Sequence, residues 1–91
     1  MRKVSAAIYN LEVVASAAKE FRSLPMPVKG RVTAAIDALR CNPRPSGVRK
    51  LQGHTGLYRI RVGQYRVIYE VNDQALLVRV TRIRHRRDVY R

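Results

Sequence analysis

Residues 57–71 constrain the fold more than any other stretch of the chain. Leu57-Tyr-Arg-Ile-Arg-Val62 and Tyr65-Arg-Val-Ile-Tyr-Glu-Val71 are rich in β-branched and aromatic residues and are separated by Gly63-Gln64 alone. A two-residue loop with glycine first is what a type II′ hairpin turn requires. A loop of that length also fixes the register: Val62 faces Tyr65, Arg61 faces Arg66, Ile60 faces Val67, Arg59 faces Ile68 and Tyr58 faces Tyr69. Because side chains alternate across a strand, Tyr58, Ile60, Val62, Tyr65, Val67 and Tyr69 form one apolar face, and Arg59, Arg61 and Arg66 gather on the other. Two arginines directly opposite each other destabilise a sheet, whereas an opposite-charge or apolar pair gains roughly 0.2–1 kcal/mol. Solvation of an open face accounts for one such arginine. Three converging guanidiniums point to phosphate, since the guanidinium fork donates two parallel hydrogen bonds to it.

The apolar face needs a cover, and the preceding sequence supplies it. Val4, Ala6 and Ile8 alternate with Ser5, Ala7 and Tyr9, which predicts a short first strand. Leu11, Val14, Ala15, Ala18 and Phe21 then fall at helical spacing, with Asn10 as N-cap and Pro25 ending the segment after Leu24. Pro27 suits the first position of a second helix, whose stripe of Val28, Val32, Ala35, Ile36 and Leu39 ends at Asn42-Pro43. The Pro25-Met26-Pro27 link implies an antiparallel helical hairpin. Residues 43–56 have loop composition, with a short extended piece at Lys50-Leu51, and a last strand is expected from Leu76 to Ile83. The expectation is a single α+β domain over residues 1–91: an N-terminal strand, a two-helix hairpin packed on a mainly antiparallel sheet of about four strands, and a short C-terminal tail or helix.

Charge narrows the function classes. The 91 residues carry 19 Lys plus Arg against 6 Asp plus Glu, a net charge of +13. The excess is concentrated in the second half, with twelve basic and three acidic residues in 44–91 against seven and three in 1–43. Such a balance points to a polyanion or an acidic partner. One cysteine, Cys41, excludes an internal disulfide framework and reads as a small core or boundary residue. With only His54 and His85 beside it, no zinc spacing is present and no metal or other cofactor is expected. No apolar run approaches the ~20 residues of a membrane span, and the opening Met1-Arg2-Lys3-Val4-Ser5 lacks a long signal h-region, so the expected address is the cytoplasm.

The C-terminal run adds Arg79, Arg82, Arg84, Arg86, Arg87 and Arg91 against Asp88 alone. Much of this is general attraction for a polyanion. His85 and Tyr90 add a titratable ring and a phenol, and Tyr90 can either stack on an RNA base or anchor the tail to the sheet. His54, in the glycine-containing loop, reads as an ordinary exposed histidine.

Taken in order, Leu24-Pro25, Leu39 through Asn42-Pro43-Arg44-Pro45, Lys50-Leu51-Gln52-Gly53, Leu57-Tyr-Arg-Ile-Arg-Val-Gly63, Tyr65-Arg-Val-Ile-Tyr69 and His85-Arg-Arg-Asp-Val-Tyr90 resemble the RelE group within the RelE/ParE superfamily of toxins from toxin–antitoxin pairs. The resemblance covers nearly the whole chain. It implies a small α/β toxin that enters the A site of the 30S ribosomal subunit, cuts messenger RNA there without metal, and is neutralised by an antitoxin encoded beside it. Residue by residue, the family's basic pair before the hairpin turn matches Arg59 and Arg61, the arginine after it matches Arg66, and the C-terminal arginine and tyrosine match Arg86 and Tyr90.

The best-known family pattern has lysines where this chain has Arg59 and Arg61. Guanidinium holds its proton and cannot serve as a general base, so proton transfer must fall elsewhere. The expected catalytic set is Arg61, Arg66 and Arg86, stabilising charge on the phosphorus oxygens, with His85 or Tyr90 moving protons. Arg59, Lys50, Arg84 and Arg87 are expected to hold RNA. An acidic antitoxin segment suits a chain this basic. Two other readings are a ParE-like inhibitor of DNA gyrase, which would lack this basic set, and a non-catalytic RNA- or ribosome-binding module in which the same arginines only neutralise phosphates.

Overall fold

A computed structural model of the chain describes residues 8–51, 53 and 56–89. Its elements are β1 (Asn10–Val13), α1 (Ala15–Arg22), α2 (Met26–Cys41), β2 (Arg49–Lys50), β3 (Leu57–Val62), β4 (Tyr65–Asn72), β5 (Leu77–His85) and α3 (Arg86–Val89). The strands form one sheet of five in the order β1-β5-β4-β3-β2. All neighbours are antiparallel except β1, which runs parallel to β5. The fold is therefore the expected α+β arrangement with one more strand than the sequence suggested.

The hairpin takes the register its turn dictates, from Val62 opposite Tyr65 to Tyr58 opposite Tyr69. Gly63 has φ +59 while Gln64 keeps an ordinary negative φ, as a type II′ turn demands. Helices α1 and α2 cover one face, where Ala17, Leu24, Val32, Ile36 and Leu39 pack with Ile60, Val67, Tyr69, Val71, Val78, Val80 and Ile83. Pro25 caps α2, its carbonyl accepting from the amides of Val28 and Lys29 at 3.0 Å.

The beginning of the chain departs from the sequence reading. The alternating residues 4–7 lie outside the described residues, and the helix expected from Leu11 begins at Ala15. Asn10 opens β1 instead of capping a helix, and Leu11 and Val13 lie opposite Val78 and Val80. The spacing of Leu11 and Val14 fits a helix by coincidence. The exposed flank of β5 offers a ladder of backbone hydrogen bonds that Asn10–Val13 completes, so pairing overrides local periodicity. Helix begins where the alanine-rich Ala15–Arg22 segment raises helix propensity. Cys41, expected in the core or at its boundary, is exposed at the end of α2.

A polar cluster ties the 42–48 loop to the sheet. The buried Tyr69 hydroxyl donates to the Pro43 carbonyl at 2.7 Å, and burial pushes this phenol well above its ordinary range. Arg44 donates to both carboxylate oxygens of Asp73, at 3.2 and 2.9 Å, and to the Tyr58 hydroxyl at 3.0 Å. Tyr9 donates to Asp73 at 2.6 Å. The Arg44 guanidinium, with help from Tyr9, holds the Asp73 carboxyl below the usual carboxylate range. Together these bonds fix the loop that delivers β2 to the sheet.

Candidate functional site

The face of the sheet away from the helices carries two adjacent rows of arginines. Arg61 lies opposite Arg66, which lies opposite Arg84. In the next row Arg49 faces Arg59, Arg59 faces Ile68, and Ile68 faces Arg82. A concavity of about 270 Å³ opens among Gly47, Arg49, Arg59, Arg61 and Arg66. Arg66 is only 3% exposed, the most deeply buried charged residue of the described chain. Burying a guanidinium among like charges carries costs of desolvation and repulsion, which an anion seated in the concavity would offset.

On the β5 side one carboxylate partly counters the charge of two arginines. Glu20 of α1 accepts a hydrogen bond from the amide of Ile83 at 2.7 Å, beyond the end of β1, where the edge of β5 would otherwise lack a partner at that group. The same carboxylate lies 3.4 Å from Nε of Arg82 and 3.6 Å from Nε of Arg84. Arg84 thus stands in the row of Arg61 and Arg66 while its guanidinium faces Glu20.

The C-terminal residues are arranged differently from what their sequence suggested. His85 faces Tyr65 in the ladder and packs edge-on against its ring, centroids 5.0 Å apart, in the row of Val62 on the helix side of the sheet. Its Nδ1 accepts from the Arg87 amide at 3.1 Å, which leaves the neutral ring's proton on Nε2. The Arg86 amide donates to the Gln64 carbonyl at 2.7 Å, so α3 starts against the hairpin turn with Arg86 and Arg87 exposed. Tyr90 and His54 lie outside the described residues.

Of the residues singled out in the sequence, Arg59, Arg61 and Arg66 come together in the concavity, and Arg84 joins their row. Lys50 does not line it. Its pairing with Tyr58 puts Lys50 in the row of the opposite face, and Arg49, one position earlier, takes the place. Sequence reasoning missed Arg49 because β2 is only two residues long, too short for any periodicity to show which side chain shares the arginine face.

The family model of the ParE toxin of type II toxin–antitoxin systems matches residues 11–90. Toxin RelE3 of Methanocaldococcus jannaschii is 30% identical over 76 residues, covering 79% of this chain and 84% of that protein. Among solved structures, the RelE–RelB complex of Pyrococcus horikoshii OT3 contains a chain that superposes with a TM-score of 0.78 at 32% identity, covering 87% of this chain and 96% of that one. The isolated E. coli RelE toxin superposes with a TM-score of 0.76 at 28% identity, covering 85% and 83%. The five-stranded sheet under two helices is thus the RelE toxin fold. The chain belongs to the ParE toxin family of type II toxin–antitoxin systems and, within the RelE/ParE superfamily, is a RelE-type toxin.

Proposed function

We propose that this toxin is a ribosome-dependent endoribonuclease that cuts messenger RNA in the A site of the 30S subunit and so stops translation in the cytoplasm. The observation that carries the reading is the four-arginine concavity, with the buried Arg66 in its lining. The 2′-hydroxyl of the RNA attacks the adjacent phosphorus and the bond to the 5′-oxygen of the next nucleotide breaks. The products are a 2′,3′-cyclic phosphate and a 5′-hydroxyl. The 2′-oxygen loses its proton to a base and the leaving 5′-oxygen gains one, while Arg61, Arg66 and Arg86 stabilise charge on the phosphorus oxygens. Arg59 positions phosphate, and Lys50, Arg84 and Arg87 add attraction at the margins.

None of the arginines can act as the base. With the His85 Nδ1 committed to Arg87 and its ring on the helix side, proton transfer falls first to Tyr90, and His85 contributes only if its contact with Arg87 opens. No metal or other cofactor enters this route. The RelE chains of Pyrococcus horikoshii and E. coli were each solved with a RelB antitoxin. By analogy, an acidic antitoxin segment that covers the arginine face would silence this toxin.

The test is 5′-end mapping of a defined messenger with ribosomes stalled at a known codon, beside a matched reaction without ribosomes. Cuts confined to the A-site codon, and only with ribosomes, are expected. Growth arrest without any cut would reject the nuclease and favour gyrase inhibition. Ribosome binding without cleavage would favour the non-catalytic module.

A further inference from the structure

The arginine concavity is open, and its surroundings restrict how a polyanion strand can leave it. Toward β5, Glu20 stands against Arg82 and Arg84. Along the strands toward the β4–β5 turn, Arg79 lies between Glu12 and Glu70, both at 3.0 Å, so that two carboxylates meet one guanidinium. At the opposite end, beside Gln64, α3 presents Arg86 and Arg87. Among the described residues, β2 offers Arg49, Lys50 and the turn at Gly47, whose φ of +89 and open surroundings leave that rim uncrowded.

We propose that a bound RNA strand runs from the α3 end across Arg61 and Arg66 and leaves over β2, with Arg49 holding the phosphate next to the one that Arg61 and Arg66 hold. This rests on the reading of the concavity as the RNA site. The row of Arg49 and Arg59 is two residues along the strands from the row of Arg61 and Arg66, about 6.8 Å, the scale of one nucleotide step in an extended strand. Arg49 faces Arg59 directly, a like-charge pair that costs stability in a strand of only two residues. Charge on an edge strand also discourages edge-to-edge pairing, but that purpose is served by any exposed cation and does not require one that lines the concavity. The 42–48 loop, fixed by Tyr69 and Arg44, holds Arg49 in place before RNA arrives. Arg49 is thus a binding residue for the neighbouring phosphate, separate from the reacting one.

The proposal is tested by fluorescence-anisotropy titration of a 2′-O-methylated single-stranded hexaribonucleotide, which cannot be cut, across a range of salt. The proteins are wild type, Arg49→Ala, Arg49→Lys, Arg59→Ala and Arg82→Ala. Arg82 is the control because it lies on the same face, in the same row as Arg59, and removes the same charge from the β5 side. Arg49→Ala is expected to weaken binding roughly tenfold and to reduce the salt slope by about 0.7, the value for one phosphate on a single strand. Arg49→Lys should restore the slope and only part of the affinity, and Arg82→Ala should stay within about twofold of wild type. A loss with Arg82→Ala as large as with Arg49→Ala, or an unchanged slope with Arg49→Ala, overturns the path. If Arg59→Ala weakens binding and Arg49→Ala does not, the path alone falls. If neither weakens it, the concavity is not the RNA site and both readings fall.

Discussion

The two faces of the β3–β4 hairpin are made by alternate residues of the same strands, yet they do opposite things for the protein. The helix-covered face buries Ile60, Val67 and Tyr69 and accounts for much of the core. The open face places arginines against one another in two rows and buries one of them. The first arrangement is what folding alone would select; the second sets like charges side by side, a repulsion that folding does not require and that a bound anion would offset. Period-two alternation thus separates stability from function within one hairpin, so substitutions one residue apart should have effects of different kind and even of different sign.

The largest effect is expected in the core. Tyr69→Ala removes a fully buried aromatic ring and should cost about 3–5 kcal/mol, read from urea unfolding, enough to leave a domain of this size largely unfolded. A loss below 1 kcal/mol would mean that the helix-covered face is not the source of stability. Tyr69→Phe keeps the ring and removes only the hydroxyl that donates to Pro43, and should cost about 1–2 kcal/mol at neutral pH. Its pH dependence has a definite sign. Burial raises the Tyr69 phenol above its ordinary 10.0, so the folded state holds that proton more tightly than the unfolded chain. Wild-type stability from this group is intact below pH 10 and is lost as pH rises further, a loss that Tyr69→Phe should lack in alkaline melting curves.

On the open face the sign reverses. Arg61→Thr relieves the contact with Arg66 and adds a β-branched residue, and should raise stability by roughly 0.2–1 kcal/mol in denaturant unfolding. A clear loss of stability would show that the arginine row supports the fold and would break the comparison. The smallest effect is expected at Asp73, an exposed partner of Arg44 and Tyr9. Its carboxyl is held below the ordinary 3.8, so its contribution is present above that pH and disappears as pH falls through the lowered value. Asp73→Asn should melt slightly below wild type at neutral pH, and the two should converge in acid.

The hairpin could be read residue by residue because a two-residue turn and strict alternation are local and leave one register. The α2 boundaries were nearly as clear, since prolines mark both ends. The start of the chain was not, because Asn10–Val13 becomes a strand through a partner 67 positions away at Leu77–Val80, which no local pattern announces. Likewise the arginine cluster was legible where it lay on the hairpin and illegible at Arg49, whose face is set by pairing of a two-residue strand. The placement of His85 was illegible for a related reason: its neighbours in sequence are cationic, but its row in the sheet belongs to Tyr65 and Val62. Glu20, the carboxylate that counters Arg82 and Arg84, sits 62 residues before the first of them and gave no sequence signal.

The most direct test of the account is single-turnover cleavage of an A-site codon on stalled ribosomes by wild type and Arg61→Ala, with thermal melting of both proteins. The account predicts a fall in cleavage on the order of 10²–10³, as when one preorganised donor to a developing oxyanion is removed, with a melting temperature equal to or above wild type. Cleavage within a few-fold of wild type, or a loss that merely follows unfolding, would contradict it.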